Sequence, residues 1–166
     1  WWKKMNKTKK ISYVAILSAL AIVINLFESM FIPPIQFGIR FGLANIISLV
    51  TIHLFSYKEL IFVNVMRVSI GSLLRGMIFG SQFWISFMGV LFSTVVIMVC
   101  HRLKTSLIFM SIMSAIFHSL GQVVVVMMLY SQAMIASIFP ILAISSIATG
   151  ILTGFVAKEC LRRVKV

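Results

Sequence analysis

The sequence is poor in acids, cysteine and proline. Among its 166 residues there is no aspartate, and Glu28, Glu59 and Glu159 are the only acids, against fifteen lysines and arginines. Since carboxylates are the usual ligands of catalytic Mg²⁺, this shortage excludes an aspartate-rich metal site, and we expect neither a metal nor a cofactor. Cys100 and Cys160 stand apart beside basic residues, which favours isolated thiols over a disulfide scaffold or a metal pair.

Apolar residues are what the chain has in excess. They make up 61% of the sequence, the mean hydropathy is +1.10, and charged residues reach only 11%. In soluble domains roughly a quarter of the residues are charged. The composition therefore excludes a soluble enzyme, a secreted disulfide scaffold and a disordered tail, and it predicts a polytopic protein of the lipid bilayer.

Six apolar runs divide the chain into candidate helices. They cover residues 11–32, 41–55, 60–79, 83–100, 107–130 and 138–157. A spanning helix needs about 20 apolar residues, whereas barrel strands would show alternation over about ten. The runs predict an all-α protein with a single domain of six transmembrane helices over residues 11–157; the second run is short for a full span.

The positions of the basic residues predict the orientation. If the amino terminus is cytoplasmic, 12 of the 15 lysines and arginines fall in inner segments, and the exceptions are Arg40, Arg67 and Arg75. The positive-inside rule then places both termini in the cytoplasm of a bacterial inner-membrane protein, with basic ends at residues 1–10 and 158–166. Residues 1–4 precede a natural-looking start at Met5, and we expect them to be an addition. Nucleic acid is not an expected partner, because topology accounts for most of the charge.

One face of the third predicted helix is polar. Asn64, Arg67, Gly71 and Arg75 are spaced three or four residues apart, so they share that face. A mid-span arginine costs about 2.5–3.5 kcal/mol to insert and should face a partner or a wet cavity. Two interpretations stay open: a buried ion pair of Arg67 with Glu28, or contact of Arg67 or Arg75 with a ligand.

Further polar residues occur where the bilayer should be. An excess of arginine over the single Glu28 predicts a binding site for a small organic anion that carries carboxylate or phosphate. The loop from Pro33 to Arg40 would form its gate. The candidate substrate-binding residues are Glu28, Arg40, Asn45, Asn64, Arg67, Arg75, His118 and Gln122.

Several segments together resemble a known family. They are residues 37–46, with Gly42-Leu43-Ala44-Asn45; residues 64–67 with Gly71, Arg75 and Gly76; residues 114–122, with His118-Ser119-Leu120-Gly121-Gln122; and the pairs Pro140-Ile141 and Thr149-Gly150. From residue 11 to 157 the chain resembles the Gx transporter family, which is also labelled heptaprenyl diphosphate synthase component I. Ser119 departs from the asparagine typical of that position, which leaves ligand specificity open.

The resemblance implies both a function and partners. The family is similar in size and layout to the substrate-binding S components of energy-coupling factor importers, which capture vitamins or precursors from outside and associate with a coupling membrane subunit and ATPases. It further implies a docking face on the first helix, where Ala15 and Ala19 fit an Ala-x-x-x-Ala pattern. The alternative is a non-catalytic membrane subunit of an isoprenoid-synthesis or redox complex. A prenyltransferase component is disfavoured, because the chain lacks the carboxylates that such chemistry needs.

Overall fold

The structure is a computed structural model that describes residues 6–31, 42–130, 137 and 139–164. Within these residues the chain forms six α-helices and no strand, which confirms the all-α class. The helices are α1 (Lys7–Phe31), α2 (Asn45–Leu54), α3 (Tyr57–Leu74), α4 (Ser81–Arg102), α5 (Leu107–Tyr130) and α6 (Phe139–Val164).

Four of these helices, α1, α4, α5 and α6, are long and apolar enough to cross a membrane. This supports a multi-pass membrane protein. The other two depart from the predicted full spans. α2 has 10 residues, and α3 has 18 with Arg67 inside it. At 1.5 Å per residue α2 is about 15 Å long, about half of the hydrocarbon core. Six complete spans and cytoplasmic termini therefore stay predictions.

The predicted second and third runs are each longer than the helix that forms. A turn occupies Gly42–Ala44, with Gly42 at a φ of 75°, so α2 begins only at Asn45. Gly76, at a φ of 67°, follows the end of α3. Left-handed glycines commonly end or delay helices, and a hydrophobic run does not reveal them.

The short helix α2 lies at the centre of the bundle. Eight of its ten residues are buried, and it contacts all five other helices. Its carboxyl-terminal half packs into the main apolar core, which includes Leu49, Ile52 and Leu54 from α2, Ile97 from α4 and Leu161 from α6. α2 is thus a buried half-helix whose amino-terminal end lies within the bundle.

Glycines and hydroxyl groups hold α4, α5 and α6 together. A Cβ atom added to Gly121 of α5 would lie 2.6 Å from the Met88 carbonyl oxygen of α4. One added to Gly150 of α6 would lie 2.7 Å from the Ile112 Cα of α5. The helices approach this closely because glycine has no side chain. Two hydroxyl pairs join α5 to α6: Ser111 with Thr153 at 2.8 Å, and Ser119 with Ser146 at 2.6 Å.

Basic residues of the described chain gather at one end of the bundle, here called the basic end. It comprises the start of α1, the α2–α3 connection, the α4–α5 connection and the end of α6. An ion pair between Lys10 and Glu59 joins the first two of these segments. The ring contacts of His101 with His53 and Tyr57 join the second and third. The described residues at the basic end that carry positive charge are Lys7, Lys9, Lys10, Lys58, Arg102, Lys104, Lys158, Arg162 and Arg163.

Candidate functional site

Glu28 binds the amino-terminal end of α2. Its carboxylate accepts hydrogen bonds from the backbone N–H groups of Gly42, at 2.7 Å, and Leu43, at 3.0 Å. The side chain is 2% exposed. These two N–H groups belong to the turn that precedes α2, so the carboxylate also lies near the positive end of the α2 dipole. Glu28 therefore holds the turn before α2 in place inside the bundle.

Arg67 of α3 is a buried cation with few partners. It is 1% exposed, and its two terminal nitrogens both donate to Asn45 Oδ1, at 3.2 and 3.3 Å. Its Nε has no hydrogen-bond partner among the described residues. Glu28 interacts with Arg67 electrostatically, but no ion pair joins these two side chains. The buried ion pair that was one interpretation of the sequence is therefore not formed.

Asn45, the first residue of α2, also has a donor that forms no hydrogen bond with the described residues. Its Oδ1 accepts from Arg67, while its Nδ2 finds no acceptor in the part of the chain that the structure describes. The residue is 2% exposed. A buried donor without an acceptor costs about 1–3 kcal/mol, so two of them on neighbouring side chains are an unusual feature.

His118 and Gln122 of α5 complete this group of polar residues. Gln122 Nε2 lies 3.0 Å from His118 Nε2, and both side chains are buried. Glycines hold the imidazole on two sides. A Cβ on Gly42 would lie 3.0 Å from its Cδ2 and 3.3 Å from Asn45 Nδ2, and a Cβ on Gly89 would lie 3.0 Å from its Cε1. His118 and Asn45 therefore meet across the Gly42 turn.

We call these five residues the central polar cluster: Glu28, Asn45, Arg67, His118 and Gln122. Four helices and one turn bring them together, and all five were among the predicted site residues. The sequence did not indicate the supporting positions. Gly42 belongs to the Gly-Leu-Ala-Asn segment, which was a usable signal, whereas nothing in the sequence marked Gly89 of α4.

Two other predicted site residues lie in separate hydrogen-bond networks. Asn64 accepts from Ser48 at 2.6 Å and donates to Thr94 at 2.8 Å, so it joins α3 to α2 and α4. Arg75 donates to Asn25 of α1 at 2.9 Å. Both side chains therefore connect helices, and a ligand role for either stays a prediction.

Arg40 and the predicted gate at 33–40 lie outside the described residues.

The predicted docking residues Ala15 and Ala19 are exposed on the surface of α1. They line a groove of about 620 Å³ between α1 and α3, together with Phe62, Met66 and Ile70. The small side chains of α1 form its floor, and larger apolar side chains of α3 form one wall. We call this surface the outer groove.

The chemistry available to the central polar cluster is donation to an acceptor-rich group. Arg67 Nε and Asn45 Nδ2 are donors that find no acceptor within the described ranges, and Arg67 carries a positive charge. Among the described residues no group of three or more histidines, cysteines or acids could hold a metal ion. Neither Arg67, His118 nor Gln122 lines any of three surface grooves formed by described residues.

Comparison with known proteins identifies one family. A family model described as heptaprenyl diphosphate synthase component I matches residues 17–160, and it confirms the resemblance inferred from the sequence. Component I is a non-catalytic subunit, so the prediction that the chain is not an enzyme is also confirmed. No curated protein and no solved structure matches the chain.

Proposed function

The chain belongs to the heptaprenyl diphosphate synthase component I family, and from that premise we propose that it is a substrate-binding membrane subunit. It captures a small organic anion, such as a vitamin, a cofactor or an isoprenoid or quinone precursor. In this respect it acts like the S component of an energy-coupling factor importer. The membrane is the bacterial inner membrane, with both termini in the cytoplasm.

The observation that carries this proposal is the state of Arg67. A charged side chain within a bilayer is stable only when protein groups replace its hydration. Among the described residues Arg67 has one acceptor, Asn45 Oδ1, which its two terminal nitrogens share, and its Nε has none. An arriving carboxylate or phosphate would supply the missing acceptors and the opposite charge.

The residues around Arg67 would orient the ligand in the proposed site. Asn45 Nδ2 is a second donor beside the guanidinium, and we assign it to a ligand oxygen. His118 and Gln122 supply directional hydrogen bonds from the other side of the Gly42 turn. Glu28 holds that turn in place and balances part of the charge. Arg40 and Arg75 would add positive charge toward the outer side, and Asn64 would align α3 with α2.

The outer groove suits a partner helix. Ala15 and Ala19 present small side chains, which let helices approach closely within a membrane. Under this proposal the partner is the coupling membrane subunit, which links the protein to ATPase subunits.

The family description favours a second candidate. A component of heptaprenyl diphosphate synthase would be a non-catalytic membrane subunit of an isoprenoid-synthesis complex, and the outer groove would then receive a subunit of that complex. The central polar cluster would serve to hold helices together. The two candidates differ in whether the cluster binds a ligand.

Native mass spectrometry tests the binding proposal. The protein purified from its own membranes should retain a small molecule, and Arg67→Gln with Arg75→Gln should lower its occupancy tenfold or more, since each charge-assisted hydrogen bond is worth about 1.5–3 kcal/mol. The matched control is Arg162→Gln with Arg163→Gln, which removes two exposed arginines at the basic end. If the Arg67 and Arg75 double variant retained as much of the small molecule as the control variant, the electrostatic part of the proposal would be contradicted.

Copurification separates the two candidate functions. Recovery of ATPase subunits with the protein from native membranes supports the importer. Recovery of a soluble prenyl diphosphate synthase without ATPases supports the second candidate. Ala15→Leu with Ala19→Leu should remove the partner in either case, because both side chains would fill the outer groove. Ile144→Leu, on the exposed face of α6, should leave the partner bound.

A further inference from the structure

A polar groove lies at the basic end, at the opposite end of α2 from Asn45 of the central polar cluster. Its volume is about 560 Å³, and it lies between the end of α2, the start of α3 and the α4–α5 connection. We call it the basic groove. Its lining residues are His53, Tyr57, His101, Arg102, Lys104, Thr105 and Met110.

The two imidazoles of the basic groove are held in defined orientations. His53 Nδ1 lies 2.9 Å from the Leu49 carbonyl oxygen; since a carbonyl only accepts, this nitrogen donates and Nε2 is directed elsewhere. His101 Nδ1 lies 3.2 Å from the Tyr57 hydroxyl. The centroid of the His101 ring is 5.6 Å from that of His53 and 5.6 Å from that of Tyr57, both edge to face.

Permanent positive charge surrounds these rings. Arg102 and Lys104 are both exposed and line the groove, and no acid lines it. Glu59, an acid near the start of α3, is engaged by Lys10 and by the Ser56 backbone N–H. α5 begins at Leu107, directly after this connection, so the positive end of its dipole adds to the field.

The backbone of the α4–α5 connection places one of these cations. Lys104 has a φ of 54°, a left-handed conformation that glycine or asparagine usually takes at the end of a helix. Its N–H donates to the His101 carbonyl at 3.2 Å, and Thr105 donates to the Cys100 carbonyl through both its N–H, at 3.1 Å, and its hydroxyl, at 3.2 Å. The connection is thereby fixed against the end of α4.

Membrane topology explains only part of this arrangement. The positive-inside rule requires lysine and arginine near the ends of spans, but it requires no histidines and no convergence on one groove. Here two imidazoles, a phenol, a guanidinium and an ammonium line a single groove. Such a set of donors without a carboxylate is suited to a multiply charged oxyanion.

We propose that the basic groove binds a phosphate group, presented either by a soluble phosphate or diphosphate compound or by the head group of an anionic phospholipid. Arg102 and Lys104 neutralise the anion, and the His101 ring donates to its oxygens. His53, whose Nδ1–H is already bonded to the Leu49 carbonyl, lines the groove beside them. This site is separate from the central polar cluster, and it does not depend on what that cluster binds.

NMR of the histidine rings in the complete protein tests the proposal. The protein is placed in nanodiscs of phosphatidylcholine, and inorganic diphosphate is added. In a second arm, nanodiscs with phosphatidylglycerol are compared without added diphosphate. The signals of His53 and His101 should shift. His118 belongs to the central polar cluster, so a shift of its signal alone would report binding there and would count against the basic groove.

Matched double variants distinguish a site from general surface charge. Arg102→Gln with Lys104→Asn removes two cations of the groove, and asparagine tolerates the left-handed backbone. Lys7→Gln with Lys9→Gln removes two exposed cations of α1 at the same end. We expect the apparent Kd to rise about tenfold or more in the first variant and less than about twofold in the second.

Each outcome decides the proposal. Shifts on addition of diphosphate support a soluble anion, and shifts with phosphatidylglycerol alone support a lipid head group. The absence of shifts in both arms overturns the site. An equal loss of binding in the two double variants also overturns it, because the anion would then be attracted only by the overall charge of the basic end.

Discussion

The two halves of the bundle are held together by different chemistry. In α4, α5 and α6, glycines bring backbones into contact and the hydroxyls of Ser111 and Ser119 pair with hydroxyls of α6. In α1, α2 and α3, apolar packing is joined by hydrogen bonds of charged groups: Glu28 on the amides of the Gly42 turn, Arg67 on Asn45, and Arg75 on Asn25.

By this contrast α4, α5 and α6 share neutral contacts, whereas α1, α2 and α3 contain the buried charged groups. In the α5–α6 contacts each hydroxyl finds a partner within the protein, so those contacts require nothing from outside. In the α1–α3 half, Arg67 Nε and Asn45 Nδ2 have no partner in the part of the chain that the structure describes. Groups that cost free energy in the absence of a partner commonly belong to functional sites. The comparison therefore favours the α1–α3 half, together with His118 and Gln122 of α5, as the place of the proposed binding site, and the α4–α6 contacts as its rigid support.

The largest effect should follow from filling the closest contact of the scaffold half. In Gly121→Ala the new methyl group would lie 2.6 Å from the Met88 carbonyl oxygen, so backbone must move and the free energy of unfolding should fall by about 3 kcal/mol. The matched control is Gly80→Ala, whose Cβ would have its nearest contact at 3.4 Å. Thermal unfolding in detergent measures both. Equal midpoints would show that α4 and α5 are not closely packed.

A smaller but clear loss should come from neutralising the acid of the charged half. Glu28→Gln leaves one oxygen for two backbone N–H groups and removes the negative charge from the α2 amino terminus. Stability should fall by about 2 kcal/mol. Glu159→Gln, at the exposed end of α6, is the control and should leave the unfolding midpoint nearly unchanged. If both variants unfold at the same temperature, charge does not hold the α1–α3 half together.

The sequence predicted much of this division, for reasons that particular residues make clear. Apolar runs located all six helices, because burial in lipid or in the core requires continuous hydrophobicity. The spacing of Asn64, Arg67 and Arg75 correctly placed polar groups on one face of α3. That same spacing could not identify their partners, since Asn64 bonds across to Ser48 and Thr94 while Arg67 bonds to Asn45.

The short helix was the principal feature that the sequence could not reveal. Hydrophobicity is similar on either side of Asn45, so the predicted run began at Phe41. The start of α2 is instead set by tertiary contacts: Glu28, fourteen residues before Gly42, binds the turn, and His118 packs against it. Contacts between distant residues of this kind leave no periodic signal in a single sequence.

The smallest effect should be at the basic end, where the partly exposed ion pair of Lys10 with Glu59 joins α1 to α3. Burial raises the pKa of Glu59, but hydrogen bonds from Lys10 and Ser56 outweigh this, and the pKa falls from 4.5 to about 2. Since the folded-state pKa is lowered, the contribution is complete above about pH 4.5 and is lost as the pH falls toward 2.

Lys10→Gln isolates that contribution. Near neutral pH the variant should unfold about 0.5–1 kcal/mol more easily than the unsubstituted protein, the usual range for an exposed pair. The difference should shrink as the pH is lowered below about 4.5. Lys9→Gln, one residue away and exposed, serves as the control for lost charge. A difference that stays constant down to about pH 3 would contradict the assignment to Glu59.

The most direct test of the central claim is the unfolding free energy of Arg67→Met, measured after any retained ligand has been removed. If Arg67 is held for an external anion, its replacement by an apolar side chain of similar length should change stability by no more than about 1 kcal/mol, because a buried charge without an ion pair contributes little to folding. A loss of about 3 kcal/mol or more, the usual cost of breaking a buried charge network, would contradict the account and assign Arg67 to the architecture of the bundle.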